Sequence, residues 1–571
     1  MFCEAVSQKL PLSEGQNERK RTRIKRSKTY GGRATPIRTS PNPYLLRSNK
    51  IKGVTMKRNW MLKLSILLVL LMVGSTMTIS HGQVVWIDGG LVGDKMISGT
   101  HEYQELCFIT GEPVMLRGTV TLPTIPEGKD KYALKYTFAL SNTQKGITLT
   151  RNLTFDVTRT PSVNIKQTAV DRKLTQYTET ITTPEGEYTL GKYIYTNSRI
   201  EDNTPAVDYF SGNVIAERTY YLNGDYLENE GYVTYIIDAR PIVGFDHYFG
   251  ESETVVVKQE IQSYKPNPAY DPAVYGSDEY IAWTGTVDIG MSSNKTVKFE
   301  YQYTDPQSIS FRGSYFKITS EDNVLTYDYN LPMTNNGAVD MEATRRNVGD
   351  MSMSKNVILE SKALVTPKIR DIGGHWAEDT IFKLTSLEVF AVDKEYFVPA
   401  ATISRLDFGK AMVVALYGPL PEPTSTEVIR RMRPGVDTPF LDVMKTDEDY
   451  HYIEFIKNND IMSGSNSYFQ GDKPLTRSEA IAIMIRALGL QYMAPAPPYR
   501  SQFLDDAAIQ EWARDYIYVA NEIGLINGTD EGYVNPNRNV RKDEAAGMID
   551  NLINHMKDYI TYDYREKILN R

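Results

Sequence analysis

The sequence predicts a multidomain chain, with an all-β, antiparallel, sandwich-like region followed by an all-α array of three related repeats. Two observations carry that expectation. Between residues 83 and 360, segments such as KYALKYTFALS, GITLTRNLTFDVT and TVKFEYQYT alternate apolar or aromatic residues with polar ones, and Gly, Asn, Asp and Pro lie between them. After residue 361 the period changes to that of helices, and one pattern returns three times.

The chain opens on residues 1–55, a basic stretch that includes RKRTRIKRSK, has few apolar residues and shows no helical period. It reads as disordered or as a misplaced start. Residues 56–82 follow with a basic head (Lys57, Arg58, Lys63), an apolar run from Leu64 to about Ile79, and small residues at Ser80 and Gly82. That is the layout of a secretory signal peptide, with cleavage expected between Gly82 and Gln83. The apolar run is short of the ~20 residues that a membrane-spanning helix needs, so membrane contact is expected only through this segment. The full chain has a formal charge of −7, and removal of residues 1–82 leaves −20. So acidic a chain is a poor nucleic-acid binder, because phosphate contact requires cations. Cys107 is then the single thiol, and an exported chain without disulfides must rely on the size of its core.

Within 83–360 the strands suggest one or two sandwiches, with a break near KPNPAYDPAVYGSDEY. Pairs such as Asn223-Gly224 mark tight turns. The only histidines are His101 and His247, so a His/Cys metal site or a Ser-His-Asp triad has little to draw on. A two-carboxylate glycosidase needs only two acids, but the many acids here read as a solvated β surface. The expectation is a non-enzymatic protein without cofactor or metal; a polysaccharide-active enzyme or carbohydrate-binding protein is the alternative. Residues 333–357, MTNNGAVDMEATRRNVGDMSMSKNV, read as a weakly ordered connector.

The repeats span 361–418, 439–490 and 501–556, with Pro-rich linkers GPLPEPTSTEV and QYMAPAPPYR between them and a tail over 557–571. The best-specified stretch is Leu475-Thr476-Arg477-Ser478-Glu479-Ala480, heading the apolar run IAIMIRALGL. Thr476 and Glu479 form a capping box. Arg477 sits in the first turn, where its charge adds to the positive end of the helix dipole, an arrangement that suits an external anion. The same opening recurs at Ser404-Arg405-Leu406-Asp407 and at Arg541-Lys542-Asp543-Glu544. Ahead of each lie a first helix begun by Asp371, Phe440-Leu441-Asp442 or Phe503-Leu504-Asp505, and an aromatic turn: EYFVPAATIS, SYFQGDKPLT or GYVNPNRNVR.

These residues resemble the S-layer homology family, whose pattern is an F-x-D start, a W-A helix, a glycine turn, an F-x-P segment and a T-R-A-E helix start. The resemblance covers about residues 369–556. It implies a pseudo-threefold helical bundle at the cell surface, held non-covalently to an anionic, often pyruvylated, secondary cell wall polymer on Gram-positive peptidoglycan, with self-assembly of the protein also open. The matching positions are Arg405, Arg477 and Lys542 as cations, Asp371, Asp442 and Asp505 as first-helix acids, and Gly464 and Gly528 in the turns. The acids read equally well as N-caps. Ala391-Val392 replace the turn glycine of repeat one, so its groove is expected to be closed. Glu448 replaces the tryptophan of repeat two. Trp376 and Trp512 read as core residues. The groove with Arg477 is the first choice for ligand.

Overall fold

The computed structural model describes residues 88–92, 98–126, 128–267, 270–274, 279–303, 313–335 and 338–560. The basic run, the apolar segment ending at Gly82 and residues 561–571 lie outside the described residues. Alternation of buried and exposed positions gives long strands: β1 Leu91–Val92, β2 Gly99–Cys107, β3 Val114–Leu122, β4 Lys131–Asn142, β5 Ile147–Ser162, β6 Gln167–Thr183, β7 Gly186–Asn203, β8 Asp208–Leu222, β9 Tyr232–His247, β10 Gly250–Pro266, β11 Tyr280–Gln302 and β12 Ser314–Pro332. A small hairpin, β13 Thr334–Asn335 with β14 Ala338–Val339, precedes β15 Arg346–Ala363.

Apart from that hairpin, the strands lie in one 13-stranded antiparallel sheet in which every neighbour is the next strand in the chain, closing with β12 against β15. The antiparallel all-β expectation holds, but the strands form one continuous, barrel-like sheet instead of two facing layers. Alternation specifies that one face is buried and does not say how many sheets share it. The sheet runs straight through the Pro-rich loop near residue 270: β10 and β11, on either side of it, pair from Gly250–Thr296 to Pro266–Tyr280. Its roll brings distant strands together inside, where the Leu106 amide of β2 donates to the Tyr327 hydroxyl of β12 at 3.4 Å. The stretch read as a connector contains most of β15, which pairs with β12 along its length.

The interior holds charge as well as apolar side chains. Arg151 meets both oxygens of Glu105 at 3.1 Å, Glu179 at 2.8 Å and Asp88 at 3.1 Å, and Arg218 also pairs with Asp88. Glu105 and Glu179 are each only 2% exposed, which corrects the reading of the β-region acids as a solvated surface. Buried charges persist only when paired, and two arginines serve three carboxylates here. Burial therefore pushes the Glu105 carboxyl up to about 7, against the pull of Arg151.

Among the described residues the α-helices are α1 Glu378–Ser386, α2 Arg405–Tyr417, α3 Ser425–Arg431, α4 Tyr450–Asn458, α5 Arg477–Leu488, α6 Glu511–Glu522 and α7 Lys542–Asp558. Helix α3 lies in a segment read as linker; Thr424 and Glu427 supply its capping box. The first helix of each repeat packs on the second helix of the repeat before it: α4 on α2, α6 on α5, and α1 back on α7. Just ahead of the three second helices the backbone closes a ring, from Ile403 N–H to Val540 O (2.9 Å), Val540 N–H to Leu475 O (2.9 Å) and Leu475 N–H to Ile403 O (3.2 Å).

The opposite ends of these helices meet the sheet. The Ala206 amide donates to Ala487 O at 2.8 Å, and the Tyr209 hydroxyl reaches Leu488 O. Lys557 lies 5.1 Å from the centre of the Phe299 ring. Ala206, Val207, Tyr209, Phe249 and Val297 share one apolar core with Leu416, Leu488 and Met556.

Candidate functional site

Each repeat builds its helix start in the same way. Both carboxylate oxygens of the first-helix acid accept backbone amides from the turn that follows: Asp371 from Phe397 and Val398 (2.9 and 2.7 Å), Asp442 from Phe469 and Gln470 (both 2.7 Å), and Asp505 from Val534 and Asn535 (2.9 and 2.7 Å). The second amide in each pair belongs to a residue at positive φ, namely Val398, Gln470 or Asn535. For Val398 that backbone is sterically costly, so the carboxylate clamps a turn that would otherwise relax. For Asp442, burial raises the carboxyl while the two amides hold it below the ordinary range.

Gly464 and Gly528 sit beneath the Phe that opens the same repeat. A β-carbon on Gly464 would stand 2.7 Å from the Phe440 ring and 2.7 Å from Tyr468 O, and one on Gly528 would stand 3.0 Å from the Phe503 ring. Repeat one has Ile369 in place of that Phe and Val392 in place of that Gly, both packed in the apolar core. The exchange is coupled: a branched aliphatic replaces the ring and a larger side chain fills the glycine position.

The amides at the helix starts are already taken. The first two of each second helix donate to the neighbouring repeat: Arg405 and Leu406 to Lys473 O and Gly471 O, Arg477 and Ser478 to Arg538 O and Pro536 O, Lys542 and Asp543 to Ala401 O and Pro399 O. The third donates to a side chain: Asp407 N–H to Ser404 Oγ at 3.0 Å, Glu479 N–H to Thr476 Oγ1 at 3.3 Å and Glu544 N–H to Asp543 Oδ1 at 2.8 Å. Recognition of an anion by free helix-end amides, expected from the dipole, is therefore replaced by assembly of the repeats. The side-chain cations remain.

Those cations differ in how far they are committed. Arg405, 9% exposed, donates to Phe469 O and Ser463 O, both at 3.1 Å, and faces Glu479 at 3.5 Å. Arg477 is half-buried and donates once, to Asn527 O at 3.3 Å. Burial lowers the pKa of both guanidinium groups. Lys542, also half-buried, makes no ion pair with any described residue through its ammonium group.

The two tryptophans of the repeats are not core residues. Trp376 is 66% exposed and Trp512 48% exposed; the buried neighbours that fix α1 and α6 are Ala377 and Ala513. Trp376 donates to Asp543 at 3.3 Å beside the Lys542 helix start, and Arg541, in the capping position, pairs with the same carboxylate at 2.7 Å. In repeat two, where Glu448 stands at the tryptophan offset, Lys410 pairs with Asp449 at 2.5 Å. Tyr396, Tyr468 and Tyr533 are also partly exposed, one on each aromatic turn. Sequence reading passed over them, although an aromatic at one offset in three turns was the available signal.

Residues 502–546 match the S-layer homology domain. An amylopullulanase of Thermoanaerobacterium thermosulfurigenes is 28% identical over 287 residues, 48% of this chain and 14% of that one. The exoglucanase XynX of Acetivibrio thermocellus is 27% identical over 191 residues, 32% of this chain and 16% of that one. The surface-layer 125 kDa protein of Lysinibacillus sphaericus is 29% identical over 186 residues, 32% and 14% respectively. The chain thus spans about a seventh of the length of these relatives. Its C-terminal part carries an S-layer homology domain, and the protein is a cell-surface protein.

Proposed function

We propose that the three repeats form a pseudo-trimeric anchor that binds an anionic, pyruvylated secondary cell wall polymer, with the β region held outside as a structural or binding module. The observation that carries this reading is the recurrence, at three equivalent helix starts, of a cation beside a turn of the next repeat. Two of those three sites also have an exposed tryptophan, suited to lie against a sugar ring. The site between repeats two and three has the fullest set, with Arg477, Trp512, Gly528 and Tyr533. The site between repeats three and one has the uncommitted Lys542 with Trp376, but Val392 in its turn. Arg405 serves its own fold first, since its guanidinium is spent on protein carbonyls. Asp371, Asp442 and Asp505 act by holding the turns, and Gly464 and Gly528 by keeping them close. The test is sedimentation of the full chain with sacculi that bear the polymer, with sacculi stripped of it, and with sacculi from which pyruvyl groups have been removed. Equal sedimentation with all three would overturn the reading.

A second reading, that residues 88–363 act on polysaccharide, draws support from relatives named as an amylopullulanase and an exoglucanase. Against it, Glu105 and Glu179 are sealed inside the sheet and paired to Arg151. Incubation of the full chain with glucans distinguishes the two: release of reducing ends, lost on substitution of one acid, would favour the enzyme.

A further inference from the structure

The sheet has two edges of very different kinds. One ends in β1, two residues long. The other is β15, 18 residues from Arg346 to Ala363, which pairs with β12 on one side and with no described strand on the other. None of its residues is fully buried. From Arg346 to Ile358 its pairing with β12 is regular, and the register shifts only beyond, between Ile358 and Glu360. An edge of that length presents a row of backbone donors and acceptors, and proteins ordinarily blunt such edges with proline, bulges or charge. This one has no proline, and between Val348 and Ile358 its only charged residues are Asp350 and Lys355.

We propose that β15 pairs with β15 of a second copy of this chain, antiparallel and centred on Met353. The strand's own side chains select that partner and that register. Val348 and Ile358 are its two large exposed apolar residues, 69% and 63% exposed. A two-fold axis through Met353 sets each Val348 against the Ile358 of the other copy, and so uses both of them twice. The same register opposes Asp350 to Asn356, Ser352 to Ser354 and Met351 to Lys355, with no like charges face to face. A slip of two residues in one direction puts Asp350 against Ile358, and in the other puts Val348 against Asn356. A slip of one residue sets outward-facing side chains against inward-facing ones, because side chains alternate along a strand. Two copies joined in this way share one sheet across the interface. The second helices meet the sheet through their carboxyl ends, and the helix starts are their other ends, so polymer binding and self-pairing are separable.

The test uses the full chain in sedimentation velocity across a range of concentrations, with oxidative cross-linking alongside. Directly opposed residues in an antiparallel pair lie about 4.5–5.5 Å apart at Cα, within disulfide reach. Met353→Cys should therefore yield a covalent dimer on mild oxidation, whereas the wild type, with its native thiols as control, and Val357→Cys should not. Val348→Lys should weaken association at least tenfold without changing the melting temperature. Mixing Val348→Lys with Ile358→Glu should restore dimers, because each mixed dimer gains one Lys–Glu pair and keeps one Val–Ile pair. A chain that stays monomeric at every concentration would overturn the proposal. So would a dimer that tolerates Val348→Lys and fails to cross-link at residue 353. Loss of wall sedimentation in these variants is not expected, which keeps this test apart from that of the anchor.

Discussion

Replacing each helix-start cation by alanine separates binding from folding. Arg477 gives one 3.3 Å hydrogen bond to the protein, so Arg477→Ala should cost about 0.5–1.5 kcal/mol of stability, which a domain stable by roughly 5–15 kcal/mol tolerates. Its larger contribution would be to the ligand. A charge-assisted contact to a carboxylate in a partly buried groove contributes about 1.5–3 kcal/mol, roughly a tenfold to hundredfold loss of affinity. Lys542→Ala should lose a similar or smaller amount, since an ammonium is a point charge without the paired geometry of a guanidinium. Arg405→Ala should behave in the opposite way. Two carbonyls at 3.1 Å and Glu479 lose their partner, for about 2–4 kcal/mol of stability, with little direct effect on affinity in the fraction that stays folded. The assay pairs depletion binding of the full chain to polymer-bearing sacculi with thermal melting of each variant. Wild-type affinity in the Arg477→Ala/Lys542→Ala double variant would refute the role of these cations. A stable Arg405→Ala variant with greatly reduced binding would refute the division of labour.

Asp442→Ala removes two amide acceptors from an exposed turn and should lower stability by about 2 kcal/mol, with Asp442→Asn recovering part of it; denaturant titration checks this. Gly464→Val forces contact with the Phe440 ring and Tyr468 O and should cost about 1–3 kcal/mol; adding Phe440→Ile, the pairing that repeat one already has, should restore much of the loss in the same titration. His247 is buried against the Phe245 ring, and burial, with Lys295 nearby, pushes its pKa down to about 3. The unfolded chain takes up that proton near 6.5, so the folded state loses stability as pH falls from 6.5 towards 3. At pH 4 the loss should be roughly 3 kcal/mol. His247→Gln should flatten that part of the pH profile, and an unchanged profile would show that other groups control it.

The repeats were legible because three copies force the same choices into view. Cap and cation recur as neighbours and the acid recurs about 35 residues ahead of them, and chance does not arrange that. What those residues do was less legible. A carboxylate that caps its own helix and one that clamps a turn almost thirty residues away look alike in sequence, since both are an Asp ahead of a helix. Trp376 and Trp512 were misread because an indole beside a buried alanine has the same helical spacing as a core residue. The β region gave its strand class through alternation but hid its connectivity. β15 escaped although Met351-Ser352-Met353-Ser354 alternates, because residues 346–357 hold only Val348 and Val357 from the β-branched and aromatic set that marks the other strands. The buried acids escaped because neither Glu105 nor Glu179 announces in sequence that Arg151, more than twenty-five residues from either, will neutralise it.

The polarity of the three second helices links the two halves of the protein. Their amino ends carry the cations, and their carboxyl ends abut the sheet, so the proposed polymer site and the β region lie at opposite ends of the same helical bundle. If the repeats anchor the chain as proposed, load on the sheet would be carried along the helices to the wall without a flexible joint, provided that the junction is as firm as its shared core implies. Gly489 tests that condition. It ends α5 at φ +72°, and a β-carbon there would stand 2.5 Å from Thr204, next to the Ala206–Ala487 bond. Gly489→Val combines backbone strain with that clash, and accommodating the side chain requires Thr204 and its loop to move away from the helix end. Calorimetry of the wild type should show one cooperative transition, because two units that share a core unfold together. The variant should show two, with the helical repeats still sedimenting with polymer-bearing sacculi. A single transition at the wild-type temperature would mean that the junction yields without consequence, and the rigid coupling of anchor to sheet would then be refuted.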